Sequence, residues 1–359
     1  MKHINIPIFV PHLGCPFTCI FCNQRSITAQ HNVPDQAGIV AIIEEHLQTI
    51  PCGNEVEVAF FGGNFTAIDK TLQGYYLNAV SPYLQKGKIN SIRISTRPDC
   101  ISAPDLEYLA GRGVGTIELG VQSFSDEVLK ASLRGYLCDD VFKACHLIKQ
   151  QGLKLGIQLM IGLPGDTCRL DMESTGKAVS LGPDMVRIYP TLVIKGTALQ
   201  NMYEQGIYKP LGLPEAIHIT ADMFLQFQKE NIPVIRMGLQ PGEELRSEGT
   251  VIVGPFHPAF GELVEQEVFR RQALQAIRIF YSGGNCRDIL IFVHPQDISK
   301  MTGNKRANLL YLKESLKLES LKICPSGEME RDSIGVGGIN DPTPAVFLNR
   351  MEFINLFRE

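Results

Sequence analysis

Residues 14–23 read GCPFTCIFCN and place Cys15, Cys19 and Cys22 in a Cys-x3-Cys-x2-Cys run. Three thiolates on one tight loop can each ligate a separate iron of a cubane iron–sulfur cluster, leaving the fourth iron open. Zinc is the competing reading, but it usually takes four protein ligands as two separated pairs. No second pair follows nearby. Upstream, residues 4–10 form a short apolar run closed by Pro11, fit for a buried strand that delivers the loop at its carboxyl end.

Downstream the pattern repeats. Apolar runs over 56–61, 91–96, 116–121, 155–161 and 185–190 predict strands. Helical periodicity over 36–49, 69–84, 105–112, 141–151 and 170–181 fills the gaps. Six strand-then-helix units in succession predict an α/β fold, a partial (β/α)6 TIM-like barrel. Chemistry in such barrels sits at the carboxyl ends of the strands. There lie the cysteines, GGN, STRP, GVQS, GLPG and YPT.

Each motif has a physical use and a plainer alternative. Gly62 and Gly63 let backbone approach a ligand, or make a tight turn. Gln122 and Gln158 place amides at strand ends, suited to a ribose or carboxylate, or to a structural role in the core. Arg134 can clamp a carboxylate in bidentate fashion, or lie solvated beside a helix. Gly162, Pro164 and Gly165 shape a loop, with Asp166 expected to cap the next helix. Arg97 carries charge at a strand end, where Asp99 is a ready partner.

Composition is that of an ordinary globular protein: 359 residues, 44% hydrophobic, 20% charged, net charge −4. The acidic balance argues against non-specific nucleic-acid binding by the whole surface, though not by a local patch. Of ten cysteines, Cys52, Cys100, Cys138, Cys145, Cys168, Cys286 and Cys324 are scattered and read as small hydrophobes or free thiols. The start, MKHINIPIFVPHLG, lacks a signal-peptide layout, and no run matches a membrane span. A cytoplasmic protein of a low-oxygen setting is expected.

The segments FFGGNFTAI, ISTRPDCI, IELGVQSFSDEVLKASLRGY, GLPGD and VRIYPTLVIKGTAL resemble the radical S-adenosylmethionine (SAM) core of the Elongator catalytic-subunit family, over residues 4–206. That family modifies the wobble uridine of tRNA. A more distant resemblance, around GVQS and GLPG, is to the oxygen-independent coproporphyrinogen oxidases. The resemblance implies that Cys15, Cys19 and Cys22 bind a 4Fe-4S cluster whose open iron SAM chelates. Phe21 would lie against adenine, and Gly62, Gly63, Gln122 and Arg134 would contact SAM. Asn64, Ser95 and Gln158 stand at further cofactor positions but depart from the relatives, which carry Thr or Glu, Glu, and Asp there. The first two cysteines are also closer together than in the Elongator subunits.

The implied reaction is reductive cleavage of SAM to methionine and a 5′-deoxyadenosyl radical, fed by a donor such as flavodoxin or ferredoxin. The implied partner is tRNA. A small molecule such as a tetrapyrrole, or a non-catalytic iron–sulfur protein that binds RNA, are the alternatives. Elongator subunits also carry an acetyltransferase domain. None is recognisable here, since ERDSIGVGGIN has the wrong spacing for its phosphate loop. With fourteen residues ahead of Cys15, no amino-terminal cluster or cobalamin domain is expected either.

The domains are expected to be 1–240, the barrel, and 241–359, a smaller α/β extension facing RNA or substrate. Residues 214–229, 262–281 and 305–316 read as helices, and 234–239 and 288–293 as strands. IFVHPQDISKMTGNKRANLLYLKE is similar to a KH RNA-binding unit, whose turn reads GxxG. Arg306 occupies the place of the second glycine, so a capped helix with a solvated basic first turn is the favoured reading. His257, between prolines, reads as part of a rigid turn.

Overall fold

Strands of a parallel sheet are covered on both faces and are joined by helical crossovers. The structure, a computed structural model, follows that rule. It describes residues 3–10, 14–16, 18–23, 34–51, 53–240, 247, 249–281 and 287–356; Pro11, Cys52 and Cys286 lie outside these. The chain divides into two compact units, residues 1–216 with 232–258, and residues 217–231 with 259–359.

In the first unit, β1 (His3–Phe9), β2 (Glu55–Phe61), β3 (Ser91–Thr96), β4 (Val114–Gln122), β5 (Lys154–Ile161) and β6 (Met185–Pro190) pair in parallel in sequence order. Beyond the short β7 (Val193–Ile194), strand β8 (Val234–Met237) adds to β6 in parallel. The sheet of this partial barrel therefore has seven strands rather than the six expected. The strand expected over 234–239, outside the six strand-then-helix units, completes the edge, because Val186 lies in register with Val234. Crossovers are α1 (Gln36–Thr49), α2 (Lys70–Gln85), α3 (Ala103–Ala110), α4 (Asp126–Ala131) with α5 (Cys138–Gln150), and α6 (Cys168–Ser180). Their starts are written in side chains that accept from free backbone N–H groups: Asp35 from Gly38, Asp69 from Thr71, Ser102 from Asp105. For α6 the cap is Thr167, not Asp166, whose carboxylate instead accepts from the Thr167 N–H at 2.9 Å.

The register separates two faces. Ile6, Val58, Ile94, Ile117, Leu119, Ile157 and Ile188 make one face largely apolar and buried. The other face is polar, and it is buried at its centre, at Glu57, Arg93, Thr116 and Glu118. Glu57 accepts from His3 (2.8 Å), Arg93 (2.6 and 2.9 Å), Ser91 (2.6 Å) and Thr116 (2.8 Å). Arg93 continues to Glu118 at 3.3 Å, and Glu118 to Arg187 at 2.8 Å. This charge ladder crosses the sheet from β1 to β6. It passes over Gly156, where a Cβ would come within 2.7 Å of Glu118 Cγ.

Burial opposes ionisation of Glu57, but the Arg93 guanidinium and the Ser91 and Thr116 hydroxyls outweigh it and lower its pKa from 4.5 to about 2. A depressed carboxyl contributes stability that is present above 4.5 and is lost as pH falls through 2. Glu57→Gln is therefore expected to cost on the order of 3 kcal/mol at pH 7. Denaturant unfolding at stepped pH should show the gap to wild type closing between 4.5 and 2. A gap that persists to the acid end would mean that Glu57 is not ionised in the fold.

The second unit is built on α9 (Phe260–Tyr281), preceded in the chain by α7 (Ala198–Glu204), α8 (Leu213–Lys229) and the β9 strand (Val251–Val253) that pairs with β7. Its sheet has β11 (Ser320–Pro325) parallel to β10 (Asp288–Val293), then β12 (Ile334–Gly338) and β13 (Val346–Leu348) antiparallel. Between β10 and β11 run α10 (Ile298–Thr302) and α11 (Ala307–Ser315), and α12 (Arg350–Leu356) follows the sheet. The helix expected to start at residue 305 starts at 307, because Lys305 and Arg306 have φ of 51° and 66°, outside the helical region. Asp297, fully buried, is forked by Arg331 at 2.8–3.1 Å and accepts from the Asp332 N–H at 2.9 Å. Among the described residues no helix is long and apolar enough to cross a membrane.

Candidate active site

The cysteine loop follows β1, and its neighbours pin it from several strand ends. Gly14 has φ of +73°, a conformation open to glycine. Its carbonyl accepts from Asn64 Nδ2 at 3.0 Å. The Ile20 carbonyl accepts from Leu199 N at 2.8 Å, and Asn23 Nδ2 donates to the Lys195 carbonyl at 2.9 Å. Cys22 N–H closes a turn onto the Cys19 carbonyl at 3.0 Å. Cys15 is exposed, Cys19 buried and Cys22 half-buried, so the thiols are spread along one turn.

Cys19 Sγ meets two guanidinium groups. Arg134 Nη1 donates to it at 2.9 Å, and Arg97 Nη1 lies 3.8 Å away. Both arginines are 5% exposed and stack on the Tyr136 ring, with 4.9 and 5.1 Å to its centroid. Arg97 forks onto Asp99 with two bonds of 2.9 Å. Arg134 also donates to the Gly120 carbonyl (2.6 Å) and to Tyr136 Oη (2.9 Å). Among the described residues no carboxylate pairs with Arg134. Burial works against its charge, yet the Tyr136 and Cys19 groups prevail and raise its pKa. A buried cation needs a counter-charge. The Cys19 sulfur lies 2.9 Å from Nη1.

The strand ends hold the other residues singled out in the sequence. Gln122, 5% exposed, sits at φ 70° beyond an irregularity in the β4–β5 register and accepts from Gln158 Nε2 at 3.2 Å. A bulge with left-handed backbone at a non-glycine residue is strain of the sort found where a side chain is re-aimed at a site. A Cβ at Gly120 would come within 3.0 Å of Gln122 Nε2. Ser95 and Gly63 line one shallow depression with Val10, Phe60, Phe61, Phe65 and Ile68, and Gly62 has φ of +97°. Phe21 bridges two apolar clusters, Ile20–Val193–Leu199–Tyr208 and Val128–Met160–Leu163.

Asn64, expected at a cofactor position, has its side chain engaged within the protein. It is fully buried, both amide protons are engaged (by Gly14 O and Cys100 Sγ, 3.0 Å each), and its carbonyl accepts from Thr96 Oγ1 and Arg97 N. The side chain is a strut between the cysteine loop and β3. Sequence reasoning missed the charge ladder and Tyr136. For the ladder, the available signal was a charge set inside each of four buried strands: Glu57 in EVEVAFF, Arg93 in SIRIST, Glu118 in GTIELG and Arg187 in MVRIYP.

A sequence profile of the radical SAM superfamily matches residues 9–169, and one of the radical SAM C-terminal domain matches residues 183–270. An uncharacterized protein of Methanocaldococcus jannaschii is 33% identical over 253 residues, spanning 66% of this chain and 75% of its own. The chain belongs to the radical SAM superfamily of enzymes. Among characterised relatives, a tRNA uridine(34) acetyltransferase of Methanocaldococcus jannaschii is 35% identical over 186 residues, 46% of this chain and 34% of that protein. The chain thus spans about a third of the length of such relatives. The solved structure of Elp3 from Methanocaldococcus infernus with residues 1–46 deleted shares the fold at TM-score 0.58 and 24% identity, over 80% of this chain and 64% of that one.

A radical SAM cluster is a demanding test for these residues. Among the described residues no three His, Cys, Asp or Glu converge as a single metal ion requires. Thiols spaced along a loop suit a cubane, which gives each ligand its own iron. The unbalanced guanidinium beside Cys19 also fits an anionic sulfur ligand. The donor set fits the cluster.

Proposed function

We propose that Cys15, Cys19 and Cys22 hold a 4Fe-4S cluster, that SAM occupies the mouth beside it, and that the enzyme acts in tRNA modification. The observation that carries the first step is the buried Arg134 guanidinium, 2.9 Å from Cys19 Sγ and without a carboxylate partner among the described residues. When bound, the cluster supplies one electron to the SAM sulfonium, and the deoxyadenosyl radical set free takes a hydrogen atom from substrate; the protein binds, orients and excludes water.

Gly62 and Gly63 leave backbone carbonyls accessible to the SAM ammonium, with Ser95 beside them. The coupled Gln122 and Gln158 amides offer a donor and an acceptor to the ribose. Phe21, held by two apolar clusters, presents a ring for adenine. Asn64 serves by fixing Gly14 and so the cysteine loop. Below this mouth the charge ladder fills the polar face with ion pairs, which would keep water from the reacting end. tRNA as substrate is supported by the kind of relative that the chain matches. Acetyl transfer is not carried over. A one-electron donor such as flavodoxin or ferredoxin completes the scheme.

The test is anaerobic. Reconstituted protein with SAM and dithionite should form 5′-deoxyadenosine, raised by bulk tRNA and absent when Cys15, Cys19 and Cys22 are all changed to Ala. Formation indifferent to tRNA would move the substrate to a small molecule. An intact cluster with no deoxyadenosine, with or without tRNA, would leave a non-catalytic iron–sulfur protein.

A further inference from the structure

In the second unit, two parallel neighbouring strands, β10 and β11, are joined by α10, a sharp turn at residues 303–306, and α11. Gly303 begins the turn at φ 77°, and a Cβ there would come within 2.9 Å of Asn308 N. Asn308 Nδ2 ties the turn to the carbonyls of Gln266 (2.8 Å) and Lys300 (3.1 Å), and Asn304 N–H donates to Gln266 Oε1 at 2.8 Å. The turn is thus fastened on both sides. Lys305 and Arg306 follow in left-handed backbone, at 51° and 66°. Arg306 stands where a GxxG turn has its second glycine, and its left-handed backbone is one that glycine readily adopts.

Lys305 and Arg306 are exposed and form no ion pair among the described residues. From them runs the outer face of α11, with Leu310 54% and Tyr311 41% exposed. The Arg270 guanidinium stacks on the Tyr311 ring at 4.2 Å. Lys313 is exposed on the same helix, and Glu314 is its one acid. A chain of net charge −4 therefore concentrates the cations Lys305 and Arg306 beside exposed Leu310 and a Tyr311 ring that Arg270 covers on one side. Cations track phosphates, and an aromatic ring gives an unstacked base a platform.

We propose that this turn and the α11 face dock a single-stranded segment of the tRNA substrate, with Lys305 and Arg306 on the phosphate backbone and Tyr311 under a base. The inference rests on the tRNA reading above and deepens it. Charge complementarity favours RNA over a second copy of this acidic chain.

The experiment is fluorescence anisotropy of the full chain with bulk tRNA at stepped salt. It compares wild type with Lys305→Gly/Arg306→Gly and with Tyr311→Ser. Glycine suits left-handed backbone, so the double variant should melt no lower than wild type. It should bind about tenfold more weakly, with a salt slope shallower by about two. Tyr311→Ser should weaken binding with the slope unchanged. A double variant with wild-type affinity and slope would overturn the surface while leaving tRNA as substrate. Wild type without measurable tRNA affinity would overturn the tRNA reading and this surface with it. Self-association that the variants abolish, with tRNA binding intact, would assign the face to a second copy instead.

Discussion

Gly14→Ala is expected to strip the protein of nearly all reconstitutable iron and to lower SAM cleavage by about a hundredfold or more, an effect of roughly 3 kcal/mol on the reaction. Gly14 lies one residue before the first cysteine, at φ +73°. A Cβ there would sit 2.4 Å from the Asn64 carbonyl oxygen and 2.9 Å from the backbone of Ala67 and Ile68. All three are main-chain neighbours on the turn after β2, so no side-chain rotation relieves the overlap. The loop itself must move, and the Asn64 bond to the Gly14 carbonyl is lost with it. The sheet should survive, because Gly14 belongs to none of its strands. Gly87→Ala is the control: it has a similar φ of +65° but open space around its Cβ. It should lose about 1 kcal/mol of stability and no iron. Iron per chain and deoxyadenosine yield decide the matter. A Gly14→Ala protein with full iron and normal turnover would show that the loop is not seated on the Asn64 turn.

How far the sequence reaches follows from which interactions are local. Helix α1 over 36–49 and strands over 91–96 and 185–190 fall where periodicity and apolar runs place them. Caps, turns and burial on both faces leave their mark within a few residues. Strand β8 is legible as a strand, yet its membership in the barrel is not. Its partner β6 is separated from it by β7, α7 and α8, and the two meet only by the pairing of Val186, Arg187 and Ile188 with Val234, Arg236 and Met237. The charge ladder is hidden for the same reason. Glu57, Arg93, Glu118 and Arg187 each look like an ordinary surface charge until register sets them side by side. Asn64 was legible as a site residue, but packing gave its amide to Gly14 and Cys100. Lys305 and Arg306 show the remaining limit, because composition is silent about the sign of φ.

Arg134→Met should keep the cluster and most of the iron, yet shift its midpoint potential downward and lower SAM cleavage about ten- to a hundredfold. The side chain it replaces is buried and donates to three acceptors: Cys19 Sγ at 2.9 Å, the Gly120 carbonyl at 2.6 Å and Tyr136 Oη at 2.9 Å. Methionine has similar length and no donor. The Gly120 carbonyl still accepts from Tyr136 Oη at 2.6 Å, so the strand end is not left unsatisfied. What disappears is a positive charge and an N–H bond at the sulfur of Cys19, a proposed cluster ligand. Both favour the more negative, reduced state, and hydrogen bonds to the sulfurs are among the factors that set cluster potentials. Hydrogen bonds to charged groups contribute about 1.5–3 kcal/mol each; lost from the reduced state, that makes the cluster harder to reduce, and at 1.4 kcal/mol per factor of ten the reduced fraction, and the rate with it, falls about ten- to a hundredfold. Potentiometric titration followed by electron paramagnetic resonance reads the first effect, and deoxyadenosine formation the second. The resemblance to Elongator subunits points the same guanidinium at the SAM carboxylate, and the two roles separate cleanly. A variant with wild-type potential but weakened SAM binding would place Arg134 on SAM alone. A lowered potential would establish that it acts through Cys19, where the geometry already holds it.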